Sequence, residues 1–372
     1  MGIMKRPAHG GDVYAAARES GRDVRHLLDF SASINPLGPS PAAWGAISQA
    51  GELLRHYPDP TCWDLREALA RFWDRTPEEF LVGNGSTELI HLLPEALQIR
   101  HLLVIGPTFS EYSTAMARVG GQISSVMAAR ADGYRPPLEQ VLTALDASSN
   151  KGNSLSPIDA VMLCNPNSPT GQVCDAAMVR KLARRAARFG QWCLVDETFA
   201  EYCEQASILP EGLPARTVVL RSFTKFYGLP GLRVGYAVGN PKVIKQLGAH
   251  QPPWSVNMLA QRAARIALHD WRHNRRSLRF MEQERARFAK RLERLPGCSS
   301  FPSSANFLLL ELPARLKSAR VVSALRRQGL LVRDCSQVPG LNDRSIRVAV
   351  RSRADNDRLL QSLSDIIGNI RA

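Results

Sequence analysis

The chain has 372 residues, of which 44% are hydrophobic and 22% charged, and carries a formal net charge of +14 with a pI near 9.9. That is the composition of an ordinary globular protein, long enough for one large domain or two unequal ones. No apolar run reaches membrane-spanning length, and the start "MGIMKRPAHGGD" has no apolar segment of a secretory leader. The seven scattered cysteines form no CxxC pair and read as reduced thiols, so a cytoplasmic protein is expected.

The first forty or so residues are rich in turn formers, as in "SASINPLGPSP" (31–41), and read as an arm packed against both domains. "GNGSTELI" (83–90) then places Ser86 and Thr87 at a helix start, where free N–H groups and the positive end of the helix dipole suit a phosphate. Short apolar runs follow: "LLVIG" (102–106), "AVMLC" (160–164), "WCLV" (192–195) and "TVVL" (217–220). Each is a buried strand leading into a polar loop. Asp175 caps a helix through "AAMVRKLARRAARF" that Gly190 closes. Strand, loop, helix, strand implies an α/β fold: a mostly parallel sheet with helices on both faces, its ligands beyond the carboxyl ends of the strands.

A long helical pattern (271–295) leads out of this unit. "NFLLLEL" (306–312), "LLVRDC" (330–335) and "SIRVAV" (345–350) read as strands of a smaller α+β domain. The expected division is an N-terminal arm over 1–44, a large domain over 45–270 and a small C-terminal domain over 271–372. Basic residues cluster in helical stretches such as 180–190 and 271–295. They read as solvated faces or as a field for anionic small molecules, and no motif supports nucleic-acid binding.

The loops carry the chemistry. Asp196 ends a strand in "LVDETF" (194–199), and Lys225 lies between Ser222, Thr224 and a Gly-Pro turn in "SFTKFYGLPGLRVGY" (222–236), with Arg233 beyond. A phosphate site at a helix start, a strand-end acid, a loop lysine with flanking hydroxyls and an arginine suit pyridoxal 5′-phosphate. Its aldehyde needs a lysine amine, its ring nitrogen an acid, and its phosphate hydroxyls, N–H groups and a guanidinium. No metal is expected.

On these motifs the chain resembles the fold-type-I pyridoxal-phosphate enzymes of the class I/II aminotransferase group over essentially its whole length. The resemblance implies that Lys225 carries the cofactor, Asp196 pairs with the ring nitrogen, and Ser86, Thr87, Ser222, Thr224 and Arg233 hold the phosphate. It also implies that Phe109, in "PTFSEY", stacks on the ring. Tyr57, in "HYPDP", would reach the neighbouring subunit's cofactor, which implies a homodimer with shared sites. Arg347 would grip a substrate carboxylate, and Asn306, in "ANF", would line the site. Two departures stand out. Where the family has Asn before Pro-Thr-Gly this chain has Ser168 preceded by Asn167, and both are candidates to bond the ring oxygen. Where the family often has a tyrosine this chain has Phe199, which has no donor.

Within the family, "HGG" (9–11), "DFSASINPLGP" (29–39) and "TKFYGLPGLRVGY" (224–236) are similar to the L-threonine-O-3-phosphate decarboxylases of cobalamin biosynthesis. That likeness implies a phosphorylated amino-acid substrate, with Arg333 on its phosphate and His9 and Asn35 as further contacts. A histidinol-phosphate aminotransferase is the alternative. A non-catalytic ligand-binding protein on this fold is a third reading, against which the intact Lys225, Asp196 and Arg347 argue.

Overall fold

Alternation along the central strands builds two apolar layers. In Ala160–Cys164, Val161 and Leu163 join one hydrophobic cluster, while Ala160, Met162 and Cys164 join the other. Both faces are therefore buried, as a sheet covered by helices on each side requires. The computed structural model describes residues 9–149 and 157–368.

Thirteen strands and twelve α-helices are present among the described residues. The first strand, β1 (Leu28–Asp29), belongs to the N-terminal segment. The large sheet contains β2 (Phe80–Gly83), β3 (His101–Gly106), β4 (Gln122–Met127), β5 (Ala160–Cys164), β6 (Trp192–Asp196), β7 (Thr217–Ser222) and β8 (Gly235–Val238). Its order is β2-β8-β7-β6-β5-β3-β4, and β8 alone runs against the others. The four apolar runs expected as buried strands are β3, β5, β6 and β7. The helix expected after Asp175 spans Ala176–Arg188, with Asp175 accepting from the Met178 N–H and Gly190 at φ 73° just past its end.

The long helix covers Trp271–Leu292 and leads to a four-stranded antiparallel sheet. That sheet holds β9 (Ser299–Ser300), β10 (Phe307–Glu311), β12 (Arg333–Asp334) and β13 (Ser345–Ala349) in the order β12-β13-β10-β9. "LLVRDC" is not one strand. It divides at Val332 into β11 (Leu330–Leu331), paired in parallel with β1, and β12, paired with β13. The division lets one segment serve two sheets, and it ties the N-terminal segment to the C-terminal unit. Phe30, fully buried, sits in the core formed by Phe288, Leu308, Leu310, Ile346 and Val348. The N-terminal segment also contains a helix, Val13–Ser20, that the turn-rich reading did not anticipate.

Candidate active site

Strand register assembles the first part of the site. Gly83 pairs with Gly235, and Gly235 with Ser222, so the ends of β2 and β7 flank the start of β8. Past β2 the chain enters the helix Gly85–Ala96, with Ser86 and Thr87 in its first turn. Gly85 has φ 77°, and a side chain there would collide with the Arg233 guanidinium. A Cβ on Gly235 would lie 2.8 Å from the Ser86 nitrogen. Two glycines thus let a helix N-terminus, a strand end and an arginine close on one another. Ser222 and Thr224 share a 2.8 Å hydroxyl hydrogen bond, and Thr198 Oγ1 lies 3.5 Å from Ser86 Oγ. Arg233 adopts φ 56°, a left-handed conformation that costs an L-residue about 1–2 kcal/mol. Its guanidinium reaches only the Pro230 carbonyl, at 3.5 Å, and no carboxylate among the described residues.

The acid lies two strands along. Asp196 ends β6 and is 3% exposed. Its Oδ2 accepts from the Tyr112 hydroxyl at 2.8 Å and its Oδ1 from the Thr198 N–H at 3.0 Å. Burial pushes the Asp196 acid up, against the two hydrogen bonds and the charge of Lys225.

Lys225 follows β7. Its carbonyl accepts from the Asn35 N–H at 3.0 Å, and its Nζ lies 5.9 Å from the centre of the Phe199 ring. Phe199 meets Phe307 edge-on at 5.1 Å, and the Arg347 guanidinium lies 5.0 Å from the Phe307 ring. Two cations therefore rest on one aromatic pair. Burial first, then the charges of Arg347 and Arg233, bring the Lys225 amine down to about 8, against the pull of Asp196 and Asp29.

Arg347 donates from Nη1 to Ser168 Oγ at 2.9 Å and from Nη2 to the Ser31 carbonyl at 2.7 Å. Its Nε is buried without a partner. Across the β12–β13 ladder Arg347 stands directly opposite Arg333. Neither arginine makes an ion pair among the described residues, although like charges directly opposite each other destabilise a sheet.

A family model for class I and II aminotransferases matches residues 25–363. The chain belongs to the class I and II aminotransferase family. Its relatives include the threonine-phosphate decarboxylase of Salmonella typhimurium, 34% identical over 98% of this chain and 97% of that one. They also include the histidinol-phosphate aminotransferase of Symbiobacterium thermophilum, likewise 34% identical over 98% and 97%. Among solved structures, L-threonine-O-3-phosphate decarboxylase from Porphyromonas gingivalis superposes with a TM-score of 0.79 at 26% identity, covering 92% of this chain and 100% of that one.

The fold is that of the fold-type-I enzymes of this family, and the cofactor is pyridoxal 5′-phosphate. The residues present fit it. The Gly85 and Gly235 close approaches leave a cradle of hydroxyls, helix N–H groups and an unpaired guanidinium, and a neutralisable lysine and a buried acid stand beyond it.

The other expected residues fall in different places. Asn167 uses both amide hydrogens, on the Pro107 carbonyl and Thr170 Oγ1, and its Oδ1 accepts from Thr108. Of the two candidates for the ring oxygen, Ser168 therefore keeps a free hydroxyl proton and Asn167 does not. Asn35 braces the lysine loop: its amide donates to the Phe226 carbonyl and Ser277 Oγ, and its Oδ1 accepts from the Leu37 N–H. No donor of Asn35 remains for a substrate. His9 Nε2 lies 2.7 Å from Glu111 Oε1, and its ring lies 5.7 Å from that of Phe109. Asn306 is fully buried with both amide atoms unpartnered, next to Phe307. Tyr57 is 80% exposed and packs on Trp254 with the ring centres 5.0 Å apart. Sequence reasoning missed Tyr112 and Asp29. Tyr112 lies three residues past Phe109 in "PTFSEY", where the loop enters the helix Glu111–Arg118, and the two rings meet edge-on at 5.8 Å.

Proposed function

We propose that the protein decarboxylates L-threonine O-3-phosphate to 1-amino-2-propanol O-2-phosphate and CO2, as a step toward a corrinoid side chain. The observation that carries this reading is the Arg333–Arg347 pair, two cations directly opposite each other in the ladder, neither in an ion pair among the described residues. Threonine phosphate brings two anionic groups to that pair. Histidinol phosphate brings one. The keto acid of an aminotransferase also brings two, which is the specific observation in favour of the alternative reaction.

Bound pyridoxal phosphate supplies an electron sink for the pair left at Cα when the carboxylate departs. The chain's own residues do the rest. Ser86, Thr87, Ser222, Thr224 and Arg233 hold the cofactor phosphate, and Phe109 covers the ring. Asp196 holds a proton on the ring nitrogen, and Ser168 Oγ donates to the ring oxygen. Arg347 orients the substrate carboxylate and Arg333 binds its phosphate. Lys225 Nζ, brought down to about 8, returns a proton to Cα at neutral pH. The Phe199–Phe307 pair keeps water off that amine.

The exposed aromatics Tyr57 and Trp254, with Trp44 and Trp63, support a homodimer in which Tyr57 reaches the other subunit's site. No described helix is long and apolar enough to cross a membrane, which is consistent with a cytoplasmic setting. The test is a product assay on the cofactor-loaded protein with L-threonine O-3-phosphate and no keto acid. Catalytic CO2 and aminopropanol phosphate are expected. Conversion of the cofactor to its pyridoxamine form by histidinol phosphate, without CO2 from threonine phosphate, would establish the aminotransferase instead.

A further inference from the structure

We propose that Tyr112 is a positioning residue for the cofactor's ring nitrogen: its hydroxyl holds Asp196 as a carboxylate, which keeps the proton on the nitrogen. The inference rests on the placement of that nitrogen at Asp196 proposed above, and extends it to a side chain that never touches the cofactor nitrogen.

Asp196 sits where a carboxyl group resists ionising. It is 3% exposed, and the cluster around it contains Met162, Cys164, Leu194 and Leu220. An acid left alone there takes up a proton, and a protonated acid cannot hold the ring nitrogen in its cationic form. Two residues oppose that outcome: Thr198, through its side chain and through its N–H on Oδ1 at 3.0 Å, and Tyr112, through its hydroxyl on Oδ2 at 2.8 Å. The Tyr112 hydroxyl is the donor on Oδ2, and it can be removed without altering the backbone.

Tyr112 suits the task. It is 1% exposed, and burial together with the Asp196 charge lifts its phenol well above the ordinary value, so it remains a donor. Cys164, pushed up to about 12 by burial and then by Asp196, stays a thiol and brings no competing charge. The remaining charge facing Asp196 is Lys225. Tyr112 is also mechanically tied to the ring plane. It meets Phe109 edge-on at 5.8 Å and 87°, and it lies in the first turn of the helix Glu111–Arg118. The loop entering this helix and the helix's first turn thereby carry both the ring that covers the cofactor and the hydroxyl that fixes its acid.

The step at stake conserves atoms and charge. One proton is shared between the ring nitrogen and Asp196, and loss of the Tyr112 hydrogen bond moves it toward Asp196. The experiment uses the holoenzyme loaded with pyridoxal phosphate labelled with 15N in the ring. Tyr112→Phe is expected to move the nitrogen resonance toward that of the unprotonated pyridine, as the proton partition shifts roughly tenfold or more. It is also expected to lower kcat with KM nearly constant. Site-specific 3-fluorotyrosine at position 112, a stronger donor of nearly the same shape, is expected to move the resonance the other way. It keeps the test open if the phenylalanine variant folds poorly. Asp196→Asn is the control. If Asp196→Asn moves the resonance while neither change at position 112 does, the role of Tyr112 is refuted. If Asp196→Asn leaves it unmoved, the placement of the nitrogen at Asp196 fails first.

Discussion

Arg333→Ala separates a binding group from a structural one. Arg333 stands opposite Arg347 in the β12–β13 ladder and makes no ion pair or side-chain hydrogen bond among the described residues. In the free protein its removal breaks nothing and relieves a like-charge contact worth up to about 1 kcal/mol. The apo-protein is therefore expected to unfold at the same denaturant concentration or a slightly higher one. With substrate bound, the same change removes a charge-assisted hydrogen bond to phosphate, worth about 1.5–3 kcal/mol. KM for L-threonine O-3-phosphate is then expected to rise roughly ten- to 150-fold. Cofactor affinity, which the proposed site assigns to Ser86, Thr87, Ser222, Thr224 and Arg233, is expected to stay within about twofold, since that cradle lies on other strands. Steady-state kinetics, cofactor titration and urea unfolding of one preparation measure all three quantities. An unchanged KM, or an apo-protein destabilised by more than about 1 kcal/mol, would refute the reasoning, because either result makes Arg333 a structural residue.

Three further outcomes follow from the same geometry. Lys225, lowered to about 8 by burial and by Arg347 and Arg233, binds fewer protons folded than unfolded between that value and the model-peptide value near 10.5. Apo-protein stability therefore gains from this group as pH rises through that window. Lys225→Met is expected to be more stable than the parent at pH 7 by at most about 3 kcal/mol, less where crevice water screens the amine, with the gap closing near pH 10.5 in denaturant titrations. Gly85→Ala places a methyl group against the Arg233 guanidinium at φ 77° and is expected to weaken pyridoxal phosphate binding at least tenfold, read from the cofactor's absorbance; binding within twofold of the parent would dissolve the cradle argument. Arg221 is fully buried against Glu197 at 2.9 Å and Glu201 at 3.3 Å, so Arg221→Met strands two carboxylates and is expected to cost about 3–5 kcal/mol in chemical unfolding. Burial already lifts Glu201 to about 7, so its contribution to stability falls as pH rises toward that value, and the variant is expected to be weaker at pH 8 than at pH 5.

The parts of this fold that were legible in the sequence are those written in local pattern. "AVMLC" and "TVVL" are apolar on both faces because both faces are covered, and Asp175 and Gly190 mark a helix by capping chemistry alone. The placement of two expected site groups at strand ends was legible too: Asp196 closes β6, and Lys225 follows Ser222 at the end of β7. Partners set by register were not. Nothing local in "LLVRDC" shows that Val332 divides it between two sheets, since the division depends on β1, some three hundred residues earlier. Likewise "CNPNSPTG" offers Asn167 and Ser168 as equals. Only the fold reveals that Pro107, Thr108 and Thr170 saturate the Asn167 amide while Ser168 keeps its proton. Asn35 looked free because its partners, Phe226 and Ser277, are remote in the chain. Tyr112 was overlooked for the opposite reason: an aromatic residue in a helix reads as core, and its hydroxyl matters only once β6 brings Asp196 beneath it.

The site's charge balance ties these observations to one another. Lys225, Arg233, Arg333 and Arg347 face two carboxylates, Asp196 and Asp29, and none of the four cations makes an ion pair among the described residues. Lys225 relieves the imbalance by giving up its proton more readily. A protein that keeps such an arrangement folds at a disadvantage unless anions complete it. On the function proposed above, the cofactor phosphate would complete it at Arg233 and the substrate anions at Arg333 and Arg347. Any anion that binds the folded state alone adds stability with its concentration, about 2.7 kcal/mol at a hundredfold excess over its Kd. The strain in the free protein is thus the same quantity as affinity in the loaded one. Substitutions that remove these cations should raise apo stability as they lower ligand affinity, whereas substitutions in the β5–β6 core should lower both.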